Sequence, residues 1–175
     1  DTTGAPILRY VDWGEDLTDI PAVTPKTGYT CAWDEDDFTN ITSDDTINNI
    51  CETIPYTVTY NYEDTNVDGE THSNSLTNYN VETPEYTLAA ASSTSDNFLG
   101  WFTAEVGGTE VTKLAGGRTG HVVLYAHWTK KAYTVDFDSM GGSSVSQLTN
   151  VLYDNTITKP SDPNKNGFVF EDWYK

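Results

Sequence analysis

Two stretches of the chain alternate aromatic or β-branched residues with small polar ones: "YTVTYNY" from Tyr56 and "YTVDFDS" from Tyr133. A period of two marks a half-buried strand, because successive side chains point to opposite faces. The same alternation in "GYTCAW" places Tyr29, Cys31 and Trp33 on one face. In the middle of the chain the pattern predicts four strands: one from Tyr56, one near Leu76 to Val81, one from Asn97 to Phe102, and one from His121 to Trp128. "TEVTKLAGG", from Thr109, is read as a short helical turn with Val111 and Leu114 inward and Gly116 stopping it.

The pattern repeats. "FLGWF", ending at Phe102, is matched by "FEDWY", ending at Tyr174, and by the shorter "GYTCAW", while "YVDWGEDLTDIP" from Tyr10 is echoed by "NVLYDNTITKP" from Asn150. These echoes divide the chain into residues 1–53, a partial repeat lacking its first strand; 54–131, a complete repeat; and 132–175, a partial repeat lacking its last strand. Each partial repeat is expected to leave an open sheet edge that self-associates with another copy or stays partly open. Relative to Trp33, one extra residue precedes Trp101 and Trp173, which predicts a bulge. Trp33, Trp101, Trp128, Trp173, Phe98 and Phe170 are assigned to the structural core; a ligand platform is the alternative.

Matching the repeats strand by strand sets Cys31 against Phe98 and Phe170, and Cys51 against Trp128. Two cysteines thus stand where a neighbouring repeat has two aromatics, and a Cys31–Cys51 disulfide in place of an aromatic contact is the simplest account. An oxidising, extracellular setting would allow it. Two free buried thiols are the alternative, ahead of a metal site on two lone cysteines.

Composition narrows the class. Thr, Asn, Ser, Tyr and Val are abundant, a bias toward strands and turns that makes the protein mainly β, α+β at most. A formal charge of -18, from 27 acidic and 9 basic residues, repels phosphate and argues against nucleic-acid and anionic-membrane partners. No apolar run approaches the roughly 18 residues of a membrane-spanning helix, so no membrane insertion is expected. No N-terminal leader is visible, and a chain beginning at Asp1 reads as an excerpt or a processed product. The joints "ETIPY" and "TKKAY" lack the Gly/Ser character of flexible linkers and predict a semi-rigid string, with Lys130 and Lys131 as an exposed, solvating pair.

Candidate chemistry is sparse. Asp64, Asn66 and Asp68 alternate ahead of Gly69 as a calcium loop would require, yet the twelfth position is Ser75 rather than a bidentate Glu. Asp68-Gly69 also matches Gly141-Gly142 in the next repeat, straight after the opening strand, so a turn tolerant of positive φ is the preferred reading and calcium the weak alternative. His72, His121 and His127 are scattered and read as strand-surface residues. "DEDD", Asp34 to Asp37, reads as a solvated loop. No nucleophile elbow, phosphate loop or zinc motif is present, so neither catalysis nor a cofactor is expected.

The order "YTVTY…NYNVETPEYTLAAAS…FLGWFTAEVGGTEVTKLAGGRTGHVVLYAHW" resembles a Listeria-Bacteroides repeat, the internalin-type B-repeat. Its most specific pieces are Gly100-Trp101 with the following aromatic and the closing "LYAHW". The likeness covers the middle repeat end to end and its neighbours in part. It implies small β-grasp-like modules in tandem on secreted or wall-attached bacterial proteins, serving as stalk, spacer or adhesive element. Direct binding of a host-surface protein or glycan is the rival function. One departure is Ser95-Asp96, where the other repeats carry Gly28-Tyr29 and Gly167-Phe168.

Overall fold

The computed structural model describes residues 7–34, 38–62, 64 and 66–174. All regular structure among them is strand: β1 (Tyr29–Trp33), β2 (Asn49–Thr53), β3 (Tyr56–Asn61), β4 (Asn78–Tyr79), β5 (Tyr86–Thr87), β6 (Asp96–Phe102), β7 (Lys113–Leu114), β8 (Val122–Lys130), β9 (Ala132–Val135) and β10 (Leu148–Leu152). They form one four-stranded sheet in the order β4-β3-β8-β6 and three two-stranded ones, β1-β2, β5-β7 and β10-β9.

The expected helical turn after Thr109 is not there. Its residues pair instead: Glu110 bridges Phe102, the Val111 N–H donates to Trp101 O at 2.7 Å, and Lys113–Leu114 is β7. β-branched Val111 and Thr112 offered little helical propensity, and tertiary pairing prevailed. Leu114 is nevertheless inward, as expected, and buried. Asp68-Gly69 is a turn, with φ +64 at Gly69, but it is not the tip of a hairpin between neighbouring strands. It lies in the long connection from β3 to β4 and brings Thr71 into a bridge with Ser92.

The chain divides into two compact units, Asp1–Val58 with Thr77–Tyr86 and Ala115–Val122, and Thr59–Leu76 with Thr87–Leu114 and Val123–Lys175. The first buries Val58, Tyr79 and Val122, with the Tyr56 and Tyr79 rings 5.6 Å apart. The second is built round Trp101, 2% exposed, whose ring meets Tyr60, His72 and Phe98 at centroid distances of 5.3, 5.7 and 5.5 Å. Its indole N–H donates to Ala89 O at 2.8 Å. The buried Asn74 amide fixes the same residue from the other side, accepting from Ala89 N at 2.7 Å and donating to its carbonyl at 3.0 Å. That carbonyl thereby uses both lone pairs.

Two cross-strand pairs correspond. In β6–β8, Phe98 faces Trp128, with centroids 5.4 Å apart; in β1–β2, Cys31 faces Cys51, and the two form a disulfide with Cα atoms 4.1 Å apart. Both fall at non-hydrogen-bonded positions, because the Lys131 N–H donates to Ser95 O and the Ile54 N–H to Gly28 O, three residues away along each ladder. Side chains approach closest at such positions. The ladder also shifts register between Phe98 and Gly100, which is the expected bulge. Phe98 and Trp101 are three apart and would otherwise point to opposite faces; the extra residue returns both to the core side.

The remaining aromatics assigned from sequence are half-buried. Trp33 donates its indole N–H to Pro21 O at 3.0 Å, twelve residues back, the separation found between Trp101 and Ala89. Trp128 donates to Tyr62 O at 3.2 Å. Trp173 packs between Phe137 and Phe170, at 5.2 and 5.3 Å, and its buried Nε1 has no partner. Residues 156–174 form no strand.

Reducing the Cys31–Cys51 bond, which closes a separation of 20 residues, is expected to lower stability by about 3 kcal/mol in the chain-entropy account. Chemical denaturation with and without reductant, compared with a Cys31→Ser/Cys51→Ser double variant, measures it.

Candidate functional site at the repeat junctions

The strands leave almost no slack between repeats. β2 ends at Thr53 and β3 begins at Tyr56; β8 ends at Lys130 and β9 begins at Ala132. The linking residues are hydrogen-bonded rather than free. The Ile54 N–H donates to Gly28 O at 2.9 Å, and the Lys131 N–H donates to Ser95 O at 3.0 Å. Once Cys31 is set against Phe98 and Cys51 against Trp128, Gly28 corresponds to Ser95 and Ile54 to Lys131. One backbone bond is therefore made twice, at equivalent places.

The side chains around that bond differ. At the first junction Gly28 has φ +86, and a Cβ there would lie 2.6 Å from Val81 Cβ, so glycine leaves room for the Val81 side chain against this backbone. Thr53 Oγ1 accepts from Asn80 Nδ2 at 2.9 Å, and the Tyr29 hydroxyl donates to Glu82 Oε1 at 2.8 Å. That carboxylate holds the phenol above its usual pKa, chiefly through the hydrogen bond, since ionisation would set two negative groups together.

At the second junction the departure noted in the sequence, Ser95-Asp96, is fully used. Ser95 and Asp96 are buried, and Asp96 Oδ2 pairs with Lys130 Nζ at 3.1 Å, across a directly facing strand position. Lys130 Nζ also donates to Asn66 O. Lys131 Nζ donates to Ser93 O at 2.7 Å and to Thr94 O at 3.0 Å, and the Tyr153 N–H donates to Lys131 O at 2.8 Å. The expectation that the two lysines merely solvate the joint is thus corrected. Their ammonium groups satisfy carbonyls and a buried carboxylate that would be costly to leave unpaired.

The other candidates are not brought together. Asp64 Oδ1 accepts from Asn66 N at 2.9 Å and Nδ2 at 3.1 Å, a local Asx turn. Asp68 contributes its backbone: its N–H donates to Ser95 Oγ at 2.8 Å and its carbonyl accepts from Thr94 N at 3.0 Å. Among the described residues no three His, Cys, Asp or Glu side chains group as metal ligands. His127 stacks on Phe102 at 3.9 Å, His121 Nδ1 accepts from Thr57 N at 3.1 Å, and His72 lies against Tyr60 and Tyr62. Asp34 accepts from Asn48 N at 2.7 Å; Glu35, Asp36 and Asp37 of the acidic run lie outside the described residues. No described helix is long and apolar enough to cross a membrane.

The sequence matches the Listeria-Bacteroides repeat domain over residues 56–127 and again over 133–175. The chain belongs to this family. Among similar proteins are two inferred membrane proteins of Evansella cellulosilytica, one of them Gly-rich, at 39% identity over 83 residues and 38% over 79. Internalin H of Listeria monocytogenes is 32% identical over 78 residues. These matches cover 44–45% of this chain but only 9–14% of each relative, so the shared part is a repeat within much longer proteins. No solved structure matches.

The Tyr29 tie carries a pH signature. A raised phenol pKa means the contact stabilises the fold below the ordinary value of about 10 and is lost as pH rises through the higher one. Ultraviolet titration, differenced against Tyr29→Phe, is expected to place Tyr29 above ordinary tyrosine, and Glu82→Gln to bring it back.

Proposed function

We propose that this segment is a non-catalytic stalk: tandem repeats that hold length on an extracellular, wall-attached or secreted bacterial protein and present other parts of it for adhesion. The observation that carries this reading is the doubled junction. A linker meant to swing would be free of hydrogen bonds, whereas Ile54 is tied to Gly28 of the preceding repeat, and Lys131, tied back to Ser95 of its own repeat, accepts from Tyr153 of the next. Membership of a repeat family shared with Internalin H supports the surface setting. The net charge of -18 keeps neighbouring stalks apart. Where two copies do associate, the open sides of β2 and β9, each of which has one strand partner among the described residues, are the edges that would pair.

A second reading rests on Tyr10 and Trp13, 93% and 81% exposed and three residues apart. Amphipathic rings so displayed suit a host protein or glycan. A screen of the whole chain against glycans and matrix proteins, repeated with Trp13→Ala, separates binding from spacing.

The stalk reading is tested across the second junction by distance measurement between spin labels carried on non-cysteine side chains at Asn97 and Thr134. A narrow distribution is expected, broadened by Lys131→Ala. A distribution as wide as that of an unstructured linker in the unsubstituted chain overturns it.

A further inference from the structure

The chain enters the middle repeat through Ile54 and Pro55 and leaves it through Lys131, so tension along the chain acts at the start of β3 and the end of β8. These two strands are neighbours in the sheet. Their relative direction follows from ties at each end. Near the start of β3 the Thr57 N–H donates to His121 Nδ1 at 3.1 Å, one residue ahead of β8. Past the end of β3, Tyr62 O accepts from the Trp128 indole at 3.2 Å, near the end of β8. Position 57 lies by 121 and position 62 by 128, so the strands run parallel, joined by a long crossover as parallel strands must be.

Direction decides how the pair meets a pull. Adjacent parallel strands drawn from opposite ends are loaded along their length, and all their inter-strand hydrogen bonds share the force. An antiparallel hairpin pulled from its open end gives up bonds one after another. We propose that the middle repeat is a tension-bearing element, with β3 and β8 acting as a shear clamp between its two junctions. This deepens the stalk reading and rests on it for its biological sense.

The surroundings fit a clamp. The end of β8 and the residue after it are held by several ties: Trp128 to Tyr62 O, Lys130 to Asp96 and Asn66 O, Lys131 to Ser93 O and Thr94 O. Such ties oppose peeling of β8 from its end, which would turn shear into unzipping. In the first repeat the disulfide does the same for β2 at Cys51, two residues before that strand ends.

The test is single-molecule force spectroscopy on the full chain, pulled in two directions. Handles at the two termini load β3–β8 in shear; handles on side chains introduced at Thr57 and Val123, each the second residue of its strand and so at one end of the same parallel pair, unzip it. The event is assigned by contour gain, about 3.4 Å per released residue. The unfolding force along the chain is expected to exceed the lateral one roughly two- to threefold, reflecting a slower forced unfolding rate. Equal forces, or a weaker response along the chain, overturn the clamp. The spin-label distances are independent of this outcome: equal forces with narrow distances remove the clamp alone, while directional forces with broad distances remove the stalk reading and keep the clamp.

Discussion

The non-hydrogen-bonded position shared by the tryptophan-bearing strand and the closing strand is the contact on which the rest depends. It is where two facing side chains approach most closely. In the middle repeat Phe98 and Trp128 occupy it and extend the ring contacts outward to Trp101, Tyr60 and His72. In the first repeat a covalent bond between Cys31 and Cys51 occupies it. The substitution is physically coherent: the β1–β2 pair has little buried surface of its own, with Ile50 more than half exposed, and a cross-link supplies what apolar burial does not.

From that contact follow the two features that matter for use. The bulge beyond Phe98 brings Trp101 to the same face, so that one aromatic cluster serves the whole unit. The closing strand, held by its pair, is delivered straight into the next opening strand, and the linking amide has a carbonyl waiting for it. Glycine with Tyr29, or serine with a buried aspartate and two lysines, are two side-chain solutions built round the same backbone bond.

Much of this was legible in the sequence because it depends on period and repetition. Alternation marked β3, β6 and β8, and alignment of one repeat on another revealed the cysteine pair and the bulge. What stayed hidden depends on contacts between distant residues. The stretch from Thr109 to Gly117 has an inward Val and Leu at helical spacing, and only partners in β5 and β6 decide that it pairs as strand. The roles of Lys130 and Lys131 were invisible because, apart from the Asp96 carboxylate, their acceptors are backbone carbonyls of Asn66, Ser93 and Thr94, which no residue type announces. Ser95-Asp96 stood out as a departure from the repeat, and its meaning came only with the lysines that face it.

In the proposed stalk, length and stiffness rather than chemistry at a pocket are what the repeats supply, and two junction amides hold them. Amide hydrogen exchange followed by NMR at Ile54 and Lys131 tests it most directly. Protection comparable to that of strand amides such as Val58 is the result expected of hydrogen-bonded junctions. Exchange at the rate of an open chain at both positions would contradict it.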